Sequence, residues 1–481
     1  MASKLSSKKR KSSSSPWDPP SSFLDGDGDG DGEEEAKGDS SAAANVVVHK
    51  SEESSVPFKV MSYSSPPSCI MFYRECISQR QCAVIKAHPW NDKKWLVTAP
   101  TAQIPSSSPP GSGFTLKWND SYLASKAGAQ IVTPMVYSLT NKQYTRGKSM
   151  PFREFIHNLN NNTSVDQKSE EAYMTTQPAA FDSQGRLTVA NAPTPPLLDD
   201  MPLRPEIMGK LTPAAYNLWM GKTSGKSSGL HQDWHDNLYV LLRGTKKFKL
   251  WPASLTQTHM KPIGTVAEVF DNGRVRYEGA ERCREDGATA RDARRVADVE
   301  LAKAEQQLDT AEASGDKKRI QSARKAVEQA EERLDSALAF AVGGFANIEE
   351  EDEEEEDGGD SDAFDDDDDD DDDFDDDGGD DDEGQQVDGE NNLPHFSSVS
   401  SDQVVANSTE IVLRAGEMLY LPAGTWHDVT SYHDGDKDGG AHLALNFWYH
   451  PPSSKGSFEA PYEDDLWERD FQLWCDANGR S

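Results

Sequence analysis

The chain has 481 residues, a formal net charge of −35, 35% hydrophobic residues and 28% charged residues. So polar a composition keeps a large part of the chain out of any core, and no apolar run approaches the roughly 18 residues of a membrane span, which excludes an integral membrane protein. Five cysteines (Cys69, Cys76, Cys82, Cys283, Cys475) without paired spacing, and no apolar leader, argue against a secreted disulfide scaffold and for a reducing compartment.

Residues 1–55 are rich in Ser, Gly and Asp without apolar periodicity, and read as a disordered N-terminal tail. Its cluster Lys8-Lys9-Arg10-Lys11 suits a nuclear import signal as well as a solvated basic patch, so the expected location is the nucleus and/or the cytoplasm. From Val56 the composition turns globular. A helix is expected around Phe72–Ile77, a strand at Ala83–Ile85, and a core helix at Phe152–Leu159, where Phe152, Phe155, Ile156 and Leu159 recur at helical spacing. Tyr173 follows on a short strand.

Tyr216–Met220 reads as a strand and Gly221–Gly229 as a loop. The loop nearly imitates a phosphate cradle, but Met220 stands where G-x-x-x-x-G-K-[ST] requires a glycine. Next comes Leu230–Trp251, LHQDWHDNLYVLLRGTKKFKLW, whose apolar, β-rich run turns at Arg243-Gly244 and resumes with Lys246–Trp251 as a hairpin. In a strand, residues i and i+2 share a face, so His231 and Asp233 present an imidazole and a carboxylate side by side. A mononuclear iron site needs one more histidine. His235 has helical zinc-site spacing from His231, but the Glu of His-Glu-x-x-His is absent, so Asp233 is preferred. His442 and His450 read as structural or exposed. Near Val266–Tyr277, the Asn272-Gly273 pair predicts a hairpin with a type I′ turn.

Residues 289–342 show apolar positions in a three-four repeat, broken at Ser314-Gly315-Asp316, which predicts two antiparallel helices. Residues 349–383 then contain 27 acidic residues and no basic one, leaving only about −8 on the rest of the chain. Residues 343–400 are therefore read as a disordered acidic insertion: either a solvated linker or a lure for a basic partner, and in either case hostile to direct nucleic-acid binding. The second histidine ligand is sought in Leu413–His427, LRAGEMLYLPAGTWH, which reads as strand, turn and strand, followed by LNFWY at 445–449. At the end, Leu466, Trp467, Phe471 and Trp474 form the apolar stripe of a terminal helix that either packs back on the core or pairs two copies as a homodimer.

His-x-Asp with Asn-Leu-Tyr and Gly-x-Lys, then GEMLYLPAGTWH, then LNFWY, resembles the jumonji-C (JmjC) branch of the cupin-like oxygenases, and within it most resembles the small JmjC lysyl hydroxylases. The resemblance covers roughly 57–280 and 405–475. It implies a mainly β fold with helical flanks: a double-stranded β-helix (cupin, or jelly-roll) core in two parts, 56–288 and 401–481, interrupted by the helical hairpin and the acidic insertion. It also implies Fe(II), the co-substrate 2-oxoglutarate and O2. His231, Asp233 and His427 become the metal ligands. Lys246, Tyr173 and Ser228 fall where the family holds the distal carboxylate of 2-oxoglutarate, Asn237 and Asn446 match asparagines near the metal, and Trp448 matches a wall of the substrate pocket. The expected reaction is hydroxylation of a lysine in a protein substrate, itself basic. The alternatives are N-methyl-lysine demethylation of histones and, from another class, a non-catalytic acidic scaffold.

Overall fold

A computed structural model of the protein describes residues 58–86, 96–97, 115–138, 143–161, 170–177, 188–343, 393–404, 406, 408–433 and 440–480. The N-terminal tail and the tract 349–383 lie outside the described residues. The strands that matter for the site are β1 (Met61–Tyr63), β2 (Ala83–Ile85), β3 (Met135–Ser138), β4 (Gln143–Arg146), β5 (Glu170–Met174), β6 (Pro213–Gly221), β7 (Lys226–Ser227), β8 (Asp236–Arg243), β9 (Thr245–Trp251), β10 (Thr409–Arg414), β11 (Met418–Leu421), β12 (Trp426–Tyr432) and β13 (His442–Tyr449). They form a nine-stranded sheet in the order β1-β2-β11-β8-β13-β6-β5-β3-β4 and a four-stranded sheet in the order β7-β12-β9-β10.

The run Leu238–Leu242 is continuously apolar because both faces of the larger sheet are covered. Leu238, Val240 and Leu242 join the outer cluster with Phe72, Phe152 and Phe155, while Tyr239 and Leu241 meet Phe248, Leu250 and Leu413 of the smaller sheet. Period-two alternation thus sorts one strand's side chains into two cores. The expected core helix is α1 (Phe152–Asn161), and its four predicted apolar residues are buried. These are the two packed sheets of a jelly-roll core with helical flanks.

Several expectations change. Arg243-Gly244 does not close a hairpin, since β8 and β9 belong to different sheets. It is a corner that carries the chain from one sheet to the other. Gly244 has φ +84°, and an added Cβ would lie 2.6 Å from the Tyr432 carbonyl, so only glycine turns here without a clash. The loop between Val266–Val269 and Val275–Tyr277 is longer than a type I′ turn: Phe270 and Arg274 close it, Gly273 donates to the Phe270 carbonyl, and Gly273 but not Asn272 has positive φ. That is a three-residue hairpin with a glycine bulge. Within the supposed loop 221–229, Lys226–Ser227 pairs with β12.

The helical insertion appears as α2 (Ala290–Ser314) and α3 (Lys317–Gly343). Buried alanines recur every seven residues on each helix, at 297, 304 and 311 and at 323, 330 and 337, so the two backbones pack closely. A capping box at Thr289 and Asp292 starts α2. The base of this arm is built into the core. Val296 packs with Leu466 and Trp467 of α4 (Leu466–Ala477), and Arg295 donates both guanidinium N–H groups to Asp470. Leu466, Trp467, Phe471 and Trp474 are all buried within the chain, so the stripe that suggested pairing of two copies is spent on packing.

Candidate metal and co-substrate site

His231 lies in a short bridge rather than in a strand. Its N–H donates to the His427 carbonyl (3.0 Å), and the His427 N–H donates back (2.8 Å). This reciprocal pair explains how histidines 196 residues apart in sequence come to stand together with ring centroids 4.2 Å apart. Asp233 follows in irregular backbone, its carbonyl accepting from the Gly424 N–H (2.9 Å), and its Oδ2 is 3.8 Å from His427 Nε2. Ligand atoms of His231, Asp233 and His427 all lie within 4.8 Å of one another. The predicted constellation is assembled, although by backbone pairing of the loop that carries His231 with the start of β12 and not by strand alternation of His-x-Asp.

Both imidazoles are oriented by the main chain. His231 Nδ1–H donates to the Gly229 carbonyl and His427 Nδ1–H to the Thr425 carbonyl, each at 2.9 Å. A carbonyl only accepts, so Nδ1 carries the proton and Nε2 keeps its lone pair for a metal. Burial, followed by the neighbouring His427, pushes His231 down to about 4, which keeps its ring neutral. Two neutral imidazoles and one carboxylate are the donor set of a facial triad for iron(II), so the residues fit that ion.

The triad opens on a cavity of about 390 Å³ lined by Tyr173, Ser228, Asn237, Asn446 and Trp448, while Lys246 sits behind the wall and reaches it through the lining residues Tyr173 and Ser431. Lys246 is the most unusual. It is fully buried, and its Nζ meets Tyr173 Oη at 3.4 Å and Ser431 Oγ. Among the described residues no carboxylate lies within ion-pair distance of it. Burial pushes its ammonium down to about 7. A buried cation costs free energy unless an anion meets it, so this end of the cavity fits a carboxylate ligand. The side-chain oxygens of Asn237 and Asn446 are buried without a hydrogen bond.

Ser228 reaches the cavity, but its hydroxyl donates to the Gly229 carbonyl and accepts from the Val429 N–H. The hydroxyl beside Lys246 belongs instead to Ser431, which sequence reasoning missed. It was legible: inward alternation along β12 from His427 runs through Val429 to Ser431. His235 is no ligand. It stacks on Trp448, with centroids 5.4 Å apart and planes at 8°. His442 and His450 are buried, not exposed.

A second omission is larger. Leu393–Ser400, assigned above to the acidic insertion, is part of the core. Ser397 N–H donates to the Leu230 carbonyl, Gln232 N–H to His395 and Ile263 N–H to Phe396, so the segment is zipped between two loops. The Phe396 ring stacks on His231 at 4.9 Å, and His395 packs on Trp234 at 4.4 Å. The acidic bias next to it hid an ordered apolar stretch. A further unpredicted support is Asp236, fully buried, which takes a bidentate pair from Arg80 and further bonds from Tyr420 Oη and the Ala423 N–H. It ties the start of β8 to the turn that leads to His427.

A profile described as a cupin-like domain matches residues 115–455. The JmjC domain-containing protein 4 of Schizosaccharomyces pombe is 30% identical over 443 residues, covering 80% of this chain and 87% of that protein. With a jelly-roll core, a His-Asp-His cluster that can bind a metal and these similarities along most of its length, the chain belongs to the cupin-like JmjC family, whose members are typified by iron(II)- and 2-oxoglutarate-dependent oxygenases.

Proposed function

We propose that the protein is an iron(II)- and 2-oxoglutarate-dependent protein oxygenase that hydroxylates a lysine side chain. The observation that carries this reading is that the cavity holding the His231–Asp233–His427 cluster is also lined by Tyr173 and Ser431, behind which the Lys246 amine is buried with no carboxylate within ion-pair distance among the described residues. His231, Asp233 and His427 would hold the iron; Lys246, Tyr173 and Ser431 would hold the distal carboxylate of 2-oxoglutarate. Together with dioxygen, these groups supply a two-electron oxidation of a C–H bond as 2-oxoglutarate becomes CO2 and succinate.

The chain's own contribution is orientation and exclusion. Backbone carbonyls fix both imidazole tautomers, and Lys246 provides a charge-assisted hydrogen bond at a fixed distance from the triad. Trp234, His235, Trp448 and Phe396 line the cavity with rings that leave little room for water around the reacting carbon. The substrate is proposed to be a basic protein, drawn by the acidic tract 349–383.

The test is succinate formation from 2-oxoglutarate with Fe(II) and oxygen, offered a pool of intact basic proteins, for wild type and Asp233→Ala. Mass spectrometry then reads the products. Added oxygen on lysine that vanishes in the variant supports hydroxylation, whereas lost methyl groups move the assignment to demethylation. Failure of the wild type to bind iron or turn over leaves the acidic scaffold as the better account.

A further inference from the structure

Behind the co-substrate end of the cavity, against the lining residue Tyr173, lies a buried histidine that has no part in the chemistry described so far. In the larger sheet, β5, β6 and β13 lie side by side, and their register sets Tyr173 opposite Gly221 and Gly221 opposite His442. The middle residue of this row has no side chain. The two outer rings therefore meet across it, with centroids 5.4 Å apart and planes at 62°. A Cβ at Gly221 would lie 2.6 Å from Tyr173 Cδ2 and 3.4 Å from His442 Nε2, so nothing larger than glycine fits beneath the pair. His442 is fully buried. Its Nε2 is 3.4 Å from Thr223 Oγ1, and its Nδ1 has no hydrogen-bond partner. On the far side of Tyr173, the phenol oxygen meets Lys246 Nζ at 3.4 Å.

We propose that His442 is a positioning residue for the dicarboxylate co-substrate: edge-on across Gly221, it holds the Tyr173 ring so that the phenol stays beside Lys246. This rests on the reading of Lys246 and Tyr173 as the carboxylate clamp. Lys246 alone gives charge; the held phenol adds a second, directional donor.

The test measures 2-oxoglutarate binding to the full chain loaded with Mn(II) in place of iron, by calorimetry, with no turnover involved. His442→Ala should weaken binding about tenfold, and Gly221→Ala, which wedges the same ring from below, should do likewise, while Mn(II) affinity changes by less than about twofold. His442→Phe, which restores a ring, should recover most of the loss. In a Tyr173→Phe background, His442→Ala should cost less than about twofold more, since there is no phenol left to position. Binding like wild type in both His442→Ala and Gly221→Ala, or an undiminished loss in the Tyr173→Phe background, overturns the proposal. Lys246→Met separates the two readings. If it loses binding while the His442 and Gly221 variants do not, only the positioning role falls; if it too binds like wild type, the carboxylate clamp falls with it. Should His442→Ala not fold, Gly221→Ala and His442→Phe decide the matter.

Discussion

The two ends of the cavity are built differently. At the co-substrate end, Tyr173, Lys246 and Ser431 project from strands, and ladder register sets their mutual positions: Lys246 opposite Ser431, Tyr173 opposite Gly221. At the other end, Trp234, His395 and Phe396 come from loops, and two of the three follow the long insertion. The first end is polar and backed by the buried Lys246; the second is aromatic, and Asp233 is the one carboxylate among the described residues lining the cavity. A ladder tolerates no slip, because one residue of shift turns every side chain to the opposite face, whereas loops vary freely. A co-substrate common to a family belongs at the rigid end, and a substrate particular to one member at the variable end.

The largest effect should come from the junction of the two ends. Asp233→Ala removes the charge that partly neutralises the metal and should lower 2-oxoglutarate turnover on the order of a thousandfold or more, measured as succinate release at saturating iron. Lys246→Met should be next, weakening 2-oxoglutarate binding about a hundredfold, because a charge-assisted hydrogen bond to a carboxylate is lost. Metal affinity should hold.

Lys246 also makes a pH prediction. Burial holds its folded pKa at about 7, below the roughly 10.4 of an unfolded lysine. Between these values the unfolded chain keeps a proton that the folded chain sheds, so the stability of the ligand-free protein should rise with pH across that window. The gain across the whole window is on the order of 5 kcal/mol, at about 1.4 kcal/mol per pH unit, read by urea denaturation. Saturating 2-oxoglutarate should flatten the slope by stabilising the charged form, and Lys246→Met should abolish it.

At the aromatic end, His395→Ala should leave 2-oxoglutarate affinity within about threefold of wild type while raising KM for the protein substrate, since its ring lies on Trp234 and not on the clamp. The smallest effect belongs to Ser228→Ala. Its hydroxyl serves the backbone of β12, so about 1 kcal/mol of stability should be lost with little change in co-substrate affinity. A large drop in affinity would put Ser228, and not Ser431, in the clamp.

The same contrast explains what could be read from the amino-acid sequence. Strand-borne features were legible because strand pattern is local: the apolar run of β8 and the short strands around GEMLYLPAGTWH; Lys246 on β9 was reached through the family resemblance. The helical arm was equally plain, with its break at Ser314-Gly315-Asp316. The corner at Gly244 was misread because one strand-turn-strand pattern serves a hairpin and a change of sheet alike; only the partner strands distinguish them. Leu393–Ser400 was misread because its order comes from Leu230, Gln232 and Ile263, distant in sequence. Trp448, expected as a pocket wall, carries a stack with His235 that no spacing rule announces.

The most direct test of the central claim, that one cavity holds a metal and a dicarboxylate, is a crystal structure of the full chain grown with Mn(II) and 2-oxoglutarate. The account predicts an anomalous peak bonded to His231 Nε2, Asp233 and His427 Nε2, with the distal carboxylate of 2-oxoglutarate on Lys246 and Tyr173. A metal bound elsewhere, or a carboxylate that leaves Lys246 unpaired, would contradict it.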